Sequence, residues 1–204
     1  MRRRSRARLG TVLALVVSLA ALIPAGASAA SHYVDMDNGY AFHPGTAPIA
    51  RGDRVIFRNK GNFTDHDVKS KLSGYFTSPD GEGGMGQGET YSKTFKQAGS
   101  FGFFCREHED YGMKGKIVVP IKVTRSGDTF TITAASASTS GTKWRNRIQV
   151  KKPGDSSWHT ITATTAKSVS WGSSKHGIFQ FRSAVKNSET GAQSGYSPTV
   201  TKTK

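Results

Sequence analysis

From residue 31 onward the chain is built of short runs that alternate polar and apolar positions, broken by Gly, Pro, Asp and Asn; no long stretch repeats its apolar residues with helical spacing. That pattern predicts an all-β protein. "DRVIFRN" (Asp53 to Asn59) and "TYSKTF" (Thr90 to Phe95) alternate as half-buried strands do. In "GSFGFFC" a period of two puts Phe101, Phe103 and Cys105 on one face. "KGKIVV" (Lys114 to Val119) is predicted as the next strand, so "CREHEDYGM" is the loop between them. Farther on, "KWRNRIQVKKPG" sets Trp144, Asn146, Ile148 and Val150 against Arg145, Arg147, Gln149 and Lys151, which predicts one buried and one charged face. "SSWHTIT" and "KSVSW" follow at short intervals as further strands.

One apolar run is of another kind. Leu9 to Ile23 is nearly all apolar, follows an arginine-rich start without acids, and is closed by Pro24 and the small residues "AGASAA". This is the form of a cleaved secretory signal peptide, predicted over residues 1–29, with Ala27, Ala29 and Ala30 as possible cleavage points. The run is shorter than the ~20 apolar residues a spanning helix needs. The mature chain is therefore expected to be secreted or extracytoplasmic, associated with the cell envelope, and without a transmembrane segment.

Charge divides what remains. Residues 31–120 carry 11 basic and 11 acidic side chains, whereas residues 121–204 carry 13 basic and three acidic ones. The first part holds the single cysteine and the second all three tryptophans, so two domains with different cores are predicted, 31–120 and 121–204. The excess charge of the second serves either solubility or an anionic partner, such as an envelope or wall polymer. Nucleic acid is not expected, because the chain is exported and shows no recognition element.

A lone cysteine is unusual in an exported protein, where cysteines are commonly paired as disulfides. Its neighbours supply a reason. Cys105, His108 and Met113 lie on one loop, and "TDHDV" brings His66 beside another strand. Each alone is ordinary, a free Cys being most often a small buried residue. Together they make the donor set of a blue-copper site, two His and one Cys with a weak axial Met. A metal-bound thiolate is deprotonated and shielded from disulfide chemistry. A second copper site is a candidate at His32: cleavage after Ala29 would leave Ala30-Ser31-His32, whose amine, amides and imidazole suit square-planar Cu(II). His43, in "FHPG", is expected at the surface, Met36 in the core, and Met85, in the glycine-rich "PDGEGGMGQGE", at a mobile hairpin tip.

The same residues carry a resemblance. Tyr33 to Val119 resembles the cupredoxins, in particular the plastocyanin and pseudoazurin/amicyanin branch, through "YAFHPGTAPIARGDRVIFRN", "DHDV" and "GETYSKTFKQAGSFGFFCREHEDYGMKGKIVV". The resemblance implies a Greek-key β-sandwich holding one type 1 copper at one end. His66, Cys105 and His108 would be its equatorial ligands and Met113 its axial one. It also implies a redox partner protein, reached through the ring of His108, and a place for Met85 near the docking surface. Two departures stand out. Asp67 occupies the position where the family commonly has an Asn whose amide ties the ligand loops together. Arg106-Glu107 replaces a small hydroxyl residue and Pro, and Glu107, Glu109 and Asp110 are expected to favour Cu(II) and lower the potential. In the second part, "FQFRSAVKNSETGAQSGYSP" resembles the late strands of fibronectin type III domains, with Phe179 where that family often has Tyr.

The expected function is one-electron transfer by Cu(I)/Cu(II) cycling. The alternative is extracytoplasmic copper binding, storage or delivery, which Met36, Met85 and Met113 are too scattered to favour. An enzyme is not expected: a catalytic metal needs an open position, and the chain has no His-x-His pair of the multicopper oxidase kind. The second domain's fold alone assigns it no function.

Overall fold

The structure is a computed structural model that describes residues 29–62, 66–79 and 84–204. Residues 1–28, which include most of the predicted signal segment and the cleavage point at Ala27, lie outside the described residues. Every regular element among the described residues is a β-strand, as the alternating pattern predicts.

Two sheets form the first half. One has the order β2-β1-β4-β6 and comprises β1 (Ser31–Met36), β2 (Phe42–His43), β4 (Arg54–Asn59) and β6 (Thr90–Thr94). The other has the order β3-β8-β7-β5 and comprises β3 (Thr46–Pro48), β5 (Lys69–Ser70), β7 (Gly99–Phe104) and β8 (Lys114–Val119). The period of two does what the sequence requires of it: Val55, Phe57 and Asn59 of β4 and Phe101 and Phe103 of β7 are buried. Their rings interlock, Phe57 meeting Phe103 edge-on at 5.1 Å and Phe103 meeting Phe42 at 4.8 Å. Burying one such ring contributes about 1.5–3 kcal/mol, so this core fixes the β7 register. Cys105 then continues the inward face of β7 by one step and is fully buried. Met36 is core, as predicted.

The second half is a three-stranded sheet, β13-β10-β9, and a four-stranded one, β12-β11-β14-β15. These strands are β9 (Lys122–Ser126), β10 (Thr129–Thr133), β11 (Trp144–Lys151), β12 (His159–Thr164), β13 (Ser168–Gly172), β14 (Ile178–Asn187) and β15 (Val200–Thr203). Phe130, Ile132, Ile148, Phe179 and Phe181 are buried in a cluster of their own. On β11 the expected inward residues Asn146, Ile148 and Val150 are buried, while Trp144 is only partly buried and packs against the core of the first half. Gln149, expected outside, is buried too, because Arg182 covers it: Arg182 Nε donates to its Oε1 at 2.9 Å.

The halves are packed together rather than strung on a linker. Ala98 N donates to Ala134 O at 2.7 Å, Ser136 N to Lys96 O at 2.8 Å, and Ser100 N to Gly195 O at 2.9 Å. Tyr75 meets Trp144 edge-on at 5.1 Å. Between these contacts, buried Gln97 donates from Nε2 to Asn146 Oδ1 at 2.9 Å. Leaving a buried polar partner unsatisfied costs about 1–3 kcal/mol. Gln97→Ala is therefore expected to lower the stability of the whole chain by that amount in urea unfolding. An unchanged midpoint would show that the contact carries no stability.

Candidate metal centre

Three side chains from two loops converge at one end of the first sandwich. His66 follows residues 63–65, which are outside the described set, while Cys105 and His108 belong to the turn-rich loop from β7 to β8. His66 Nδ1 lies 3.2 Å from His108 Nδ1, and Cys105 Sγ lies 3.9 and 3.4 Å from them. All the donor atoms lie within 4.8 Å of one another. An ion held at about 2.0 Å from each nitrogen and 2.3 Å from sulfur fits the middle of such a triangle. The donors are soft sulfur and imidazole nitrogen, the chemistry of copper rather than of a hard cation.

Backbone contacts hold each donor. His66 Nε2–H donates to the Asp37 carbonyl at 2.9 Å, which leaves the Nδ1 lone pair for a metal. The His66 backbone forms a two-way bridge with Met85, at 3.2 and 2.6 Å. Cys105 N donates to Met113 O at 3.2 Å, His108 N to Cys105 O at 3.3 Å, and Met113 N to His108 O at 3.1 Å. Met113 is fully buried in the same core cluster as Cys105. Met85 is thus buried and bonded to a candidate ligand. It sits neither at an exposed tip nor on an exposed docking surface. Gly84, one of the glycines that suggested a tip, serves instead to let the backbones approach: its φ is +69°, and an added Cβ would stand 2.8 Å from the His66 carbonyl oxygen. Gly84→Ala is expected to cost about 1–3 kcal/mol and to weaken copper binding by moving His66. An unchanged copper titration would show that the bridge does not position that ligand.

The two departures noted in the sequence turn out to be one device. Buried Asp67 accepts from Arg106 N at 2.6 Å through Oδ1 and pairs with Arg106 Nε through Oδ2. The ligand loops are tied together with an acceptor on the first loop and donors on the second. Asp67 N also points at Cys105 Sγ, 3.5 Å away. Burial is the largest influence on the Cys105 thiol and pushes it up. The Asp67 N–H pulls it down, and the Asp67 carboxylate pushes it up again. Without a cation the sulfur is thus a protonated, inert thiol; a metal ion displaces the proton. Glu109 does not stand as a free negative charge, since Lys71 and Lys114 each lie 3.6 Å from it. Glu107 and Asp110 are exposed, where salt screens them.

His108 is the half-buried member of the set. Tyr40 stacks on it with ring centroids 4.3 Å apart and planes at 22°, and Tyr111, 73% exposed, leans on Tyr40 at 5.3 Å. Tyr40 reaches this position at φ 54°, a left-handed conformation uncommon for a bulky residue. Sequence reasoning missed Tyr40. "DNGY" signals a turn there, but nothing local says that the ring folds back onto a residue some seventy positions away.

His32 lies apart from the cluster. Its Nε2 is 2.7 Å from Asp53 Oδ2, and Ala30 N donates to Asp53 Oδ1 at 3.0 Å. Burial pushes Asp53 up, but His32 and the N–H groups of Ala50 and Ala30 outweigh it and hold the carboxyl below its usual range. Two of the groups that would build a square-planar site, the His32 ring and Ala30 N, are thus placed on Asp53. His43 is exposed, as expected, and pairs with Asp37 at 2.7 Å.

Comparison with known proteins points to a copper-binding family. Residues 29–120 match the family described as copper binding proteins, plastocyanin/azurin family. Plastocyanin of Solanum crispum is 33% identical over 94 residues, which cover 41% of this chain and 91% of that protein. The minor chloroplastic plastocyanin isoform of Arabidopsis thaliana is 29% identical over 116 residues, covering 53% of this chain and 68% of its own. Among solved structures, a purple cupredoxin from Nitrosopumilus maritimus aligns with 43% of this chain and 97% of its own, at 18% identity and a TM-score of 0.38.

Proposed function

The chain belongs to the plastocyanin/azurin family of copper-binding proteins, and from that premise we propose that it is an exported one-electron carrier whose copper is held by His66, Cys105, His108 and Met113. Copper in such a set supplies a couple between Cu(I) and Cu(II). The observation that carries the reading is the compact triangle of His66, Cys105 and His108 donor atoms, backed by buried Met113. Each ligand is fixed by contacts of its own: Asp37 O aims His66, the Asp67–Arg106 pair joins the two loops, and Tyr40 stacks on His108. A set preorganised in this way changes oxidation state with little rearrangement. The half-buried ring of His108, beside exposed Tyr111, is the side from which a redox partner protein approaches. Four protein ligands leave no open position for a substrate, which speaks for a carrier rather than an enzyme.

The arginine-rich leader followed by an apolar run supports export to an extracytoplasmic location; no helix among the described residues is long and apolar enough to cross a membrane. We assign residues 31–120 to the copper domain and 121–204 to a fibronectin type III-like domain. A three-stranded sheet facing a four-stranded one, antiparallel throughout, supports that assignment. The excess positive charge of the second domain is read as a tether to an anionic polymer of the envelope.

Carrier and delivery protein differ in how tightly they keep reduced copper. The carrier reading expects a reversible one-electron voltammetric wave and retention of Cu(I) through many cycles in the presence of a Cu(I) chelator. Transfer of the copper to the chelator within the first cycle would favour delivery instead.

A further inference from the structure

Charge on the outward face of β11 and β14 is of one sign: these strands carry Arg and Lys and no acid. Register puts Arg145 opposite Lys186, Arg147 opposite Ala184, Gln149 opposite Arg182 and Lys151 opposite Gln180. Because Asn146, Ile148 and Val150 point inward with Phe181, Ser183 and Val185, the alternate positions share the outer face. Arg145, Arg147, Lys151, Arg182 and Lys186 therefore lie on one surface. None of them has a carboxylate within ion-pair distance among the described residues. The three acids of this half are occupied elsewhere: Asp128 with Lys204, Asp155 with His159 and Lys175, and Glu189 with Lys143.

Arg182 sits in the middle of this surface in a built position. Its guanidinium lies 4.1 Å from the centroid of Trp158 and 3.8 Å from that of Tyr196, and its Nε is bonded to Gln149. Two aromatic faces, the Gln149 bond and a side-chain hydrogen bond to Tyr196 hold the group flat, and the remaining N–H groups of its five are left for a ligand. Arg147 is held in a similar way by Gln193 at 2.8 Å and Thr160 at 3.4 Å. A fixed guanidinium fork suits phosphate and loses little entropy on binding it.

We propose that this face is the docking surface for a linear phosphodiester polymer with a polyol backbone, bound along Lys186, Arg145, Arg147, Arg182 and Lys151. The proposal rests on reading the basic half as the binder of an anionic polymer, and it specifies where and what. Length argues for a chain rather than a single anion: from Arg145 to Lys151 the strand runs about 20 Å. Spacing argues for a phosphodiester. Alternate strand positions repeat about every 7 Å, and a backbone with one phosphate per six bonds extends by a similar amount, as two peptide units do. A nucleic acid has the same spacing, but single strands are bound largely by stacking bases on aromatic rings. Here Trp158 and Tyr196 already face Arg182.

The test uses the full-length, copper-loaded protein with purified poly(glycerol phosphate). Oligothymidylate of equal charge and vesicles with 30% phosphatidylglycerol serve as competitor probes. Arg145→Gln/Lys151→Gln/Lys186→Gln removes charge from the face. Lys96→Gln/Lys122→Gln/Lys167→Gln removes the same charge from exposed positions elsewhere. Neither set touches the copper centre, and an unchanged urea-unfolding midpoint with an unchanged visible band reports that each variant is folded. At 50 mM salt the face variant is expected to bind poly(glycerol phosphate) about 100-fold more weakly, from about 1 kcal/mol per cation. Its salt slope is expected to fall by about 2, while the control loses less than about fivefold. Equal loss in both variants overturns the face and leaves the polyanion reading standing. Tighter binding to oligothymidylate or to the vesicles overturns the occupant. No binding of the unsubstituted protein to any of the three overturns the face and the underlying reading together.

Discussion

Cys105→Ser is expected to abolish the intense visible band of the copper-loaded protein and to weaken copper binding by more than about 100-fold. Removing a partner behind a metal ligand already costs 10–100-fold in affinity, and here the ligand itself is lost. A hydroxyl cannot replace a thiolate, because the band arises from charge moving from sulfur to copper and because soft sulfur is what favours Cu(I). The substitution is nearly isosteric in the buried site behind β7, so the apo fold should survive. Met113→Ala is the contrasting case: a weak axial bond is lost, the colour stays and the potential moves. Retained colour in Cys105→Ser would refute the ligand assignment.

The second large effect is expected at Arg106. Arg106→Leu leaves the carboxylate of Asp67 buried without its guanidinium partner. Breaking one side of a buried ion pair costs about 3–5 kcal/mol. The Arg106 side chain is 29% exposed and the N–H remains, so the expected loss is about 3 kcal/mol, read by urea unfolding of the apo protein. Adding Asp67→Asn to the same chain should recover most of it, because a neutral amide needs no counter-charge. If the single variant unfolds at the original midpoint, or the double variant is no better than the single, the pair is not what joins the loops.

The legible parts of this protein are those set by short-range periodicity. The inward faces of β4, β7 and β11 follow from counting by two, and the convergence of His66, Cys105 and His108 follows from the short loop after β7 with a His upstream. Contacts that depend on how loops fold over one another were not legible. Asp67 and Arg106 each read as a departure, since neither reveals its partner 39 positions away. Met85 read as a hairpin tip because glycine signals freedom, whereas here Gly84 is required for a close approach to His66. Tyr40 carried no signal beyond a turn. Charge suggests a boundary near residue 120, but it says nothing of the packed seam from Lys96 to Ser100, where backbone bonds and the Gln97–Asn146 contact join the halves.

A thiolate, two imidazoles and a thioether holding one copper that cycles by single electrons is a proposal open to direct test. The most direct measurement is an optical titration of the purified apo protein with Cu(II), followed by reduction. An intense thiolate-to-copper band is expected that saturates at one equivalent and bleaches with one electron per chain, any further copper being colourless. Saturable copper binding without that band, or a band that does not bleach with one electron, would contradict it.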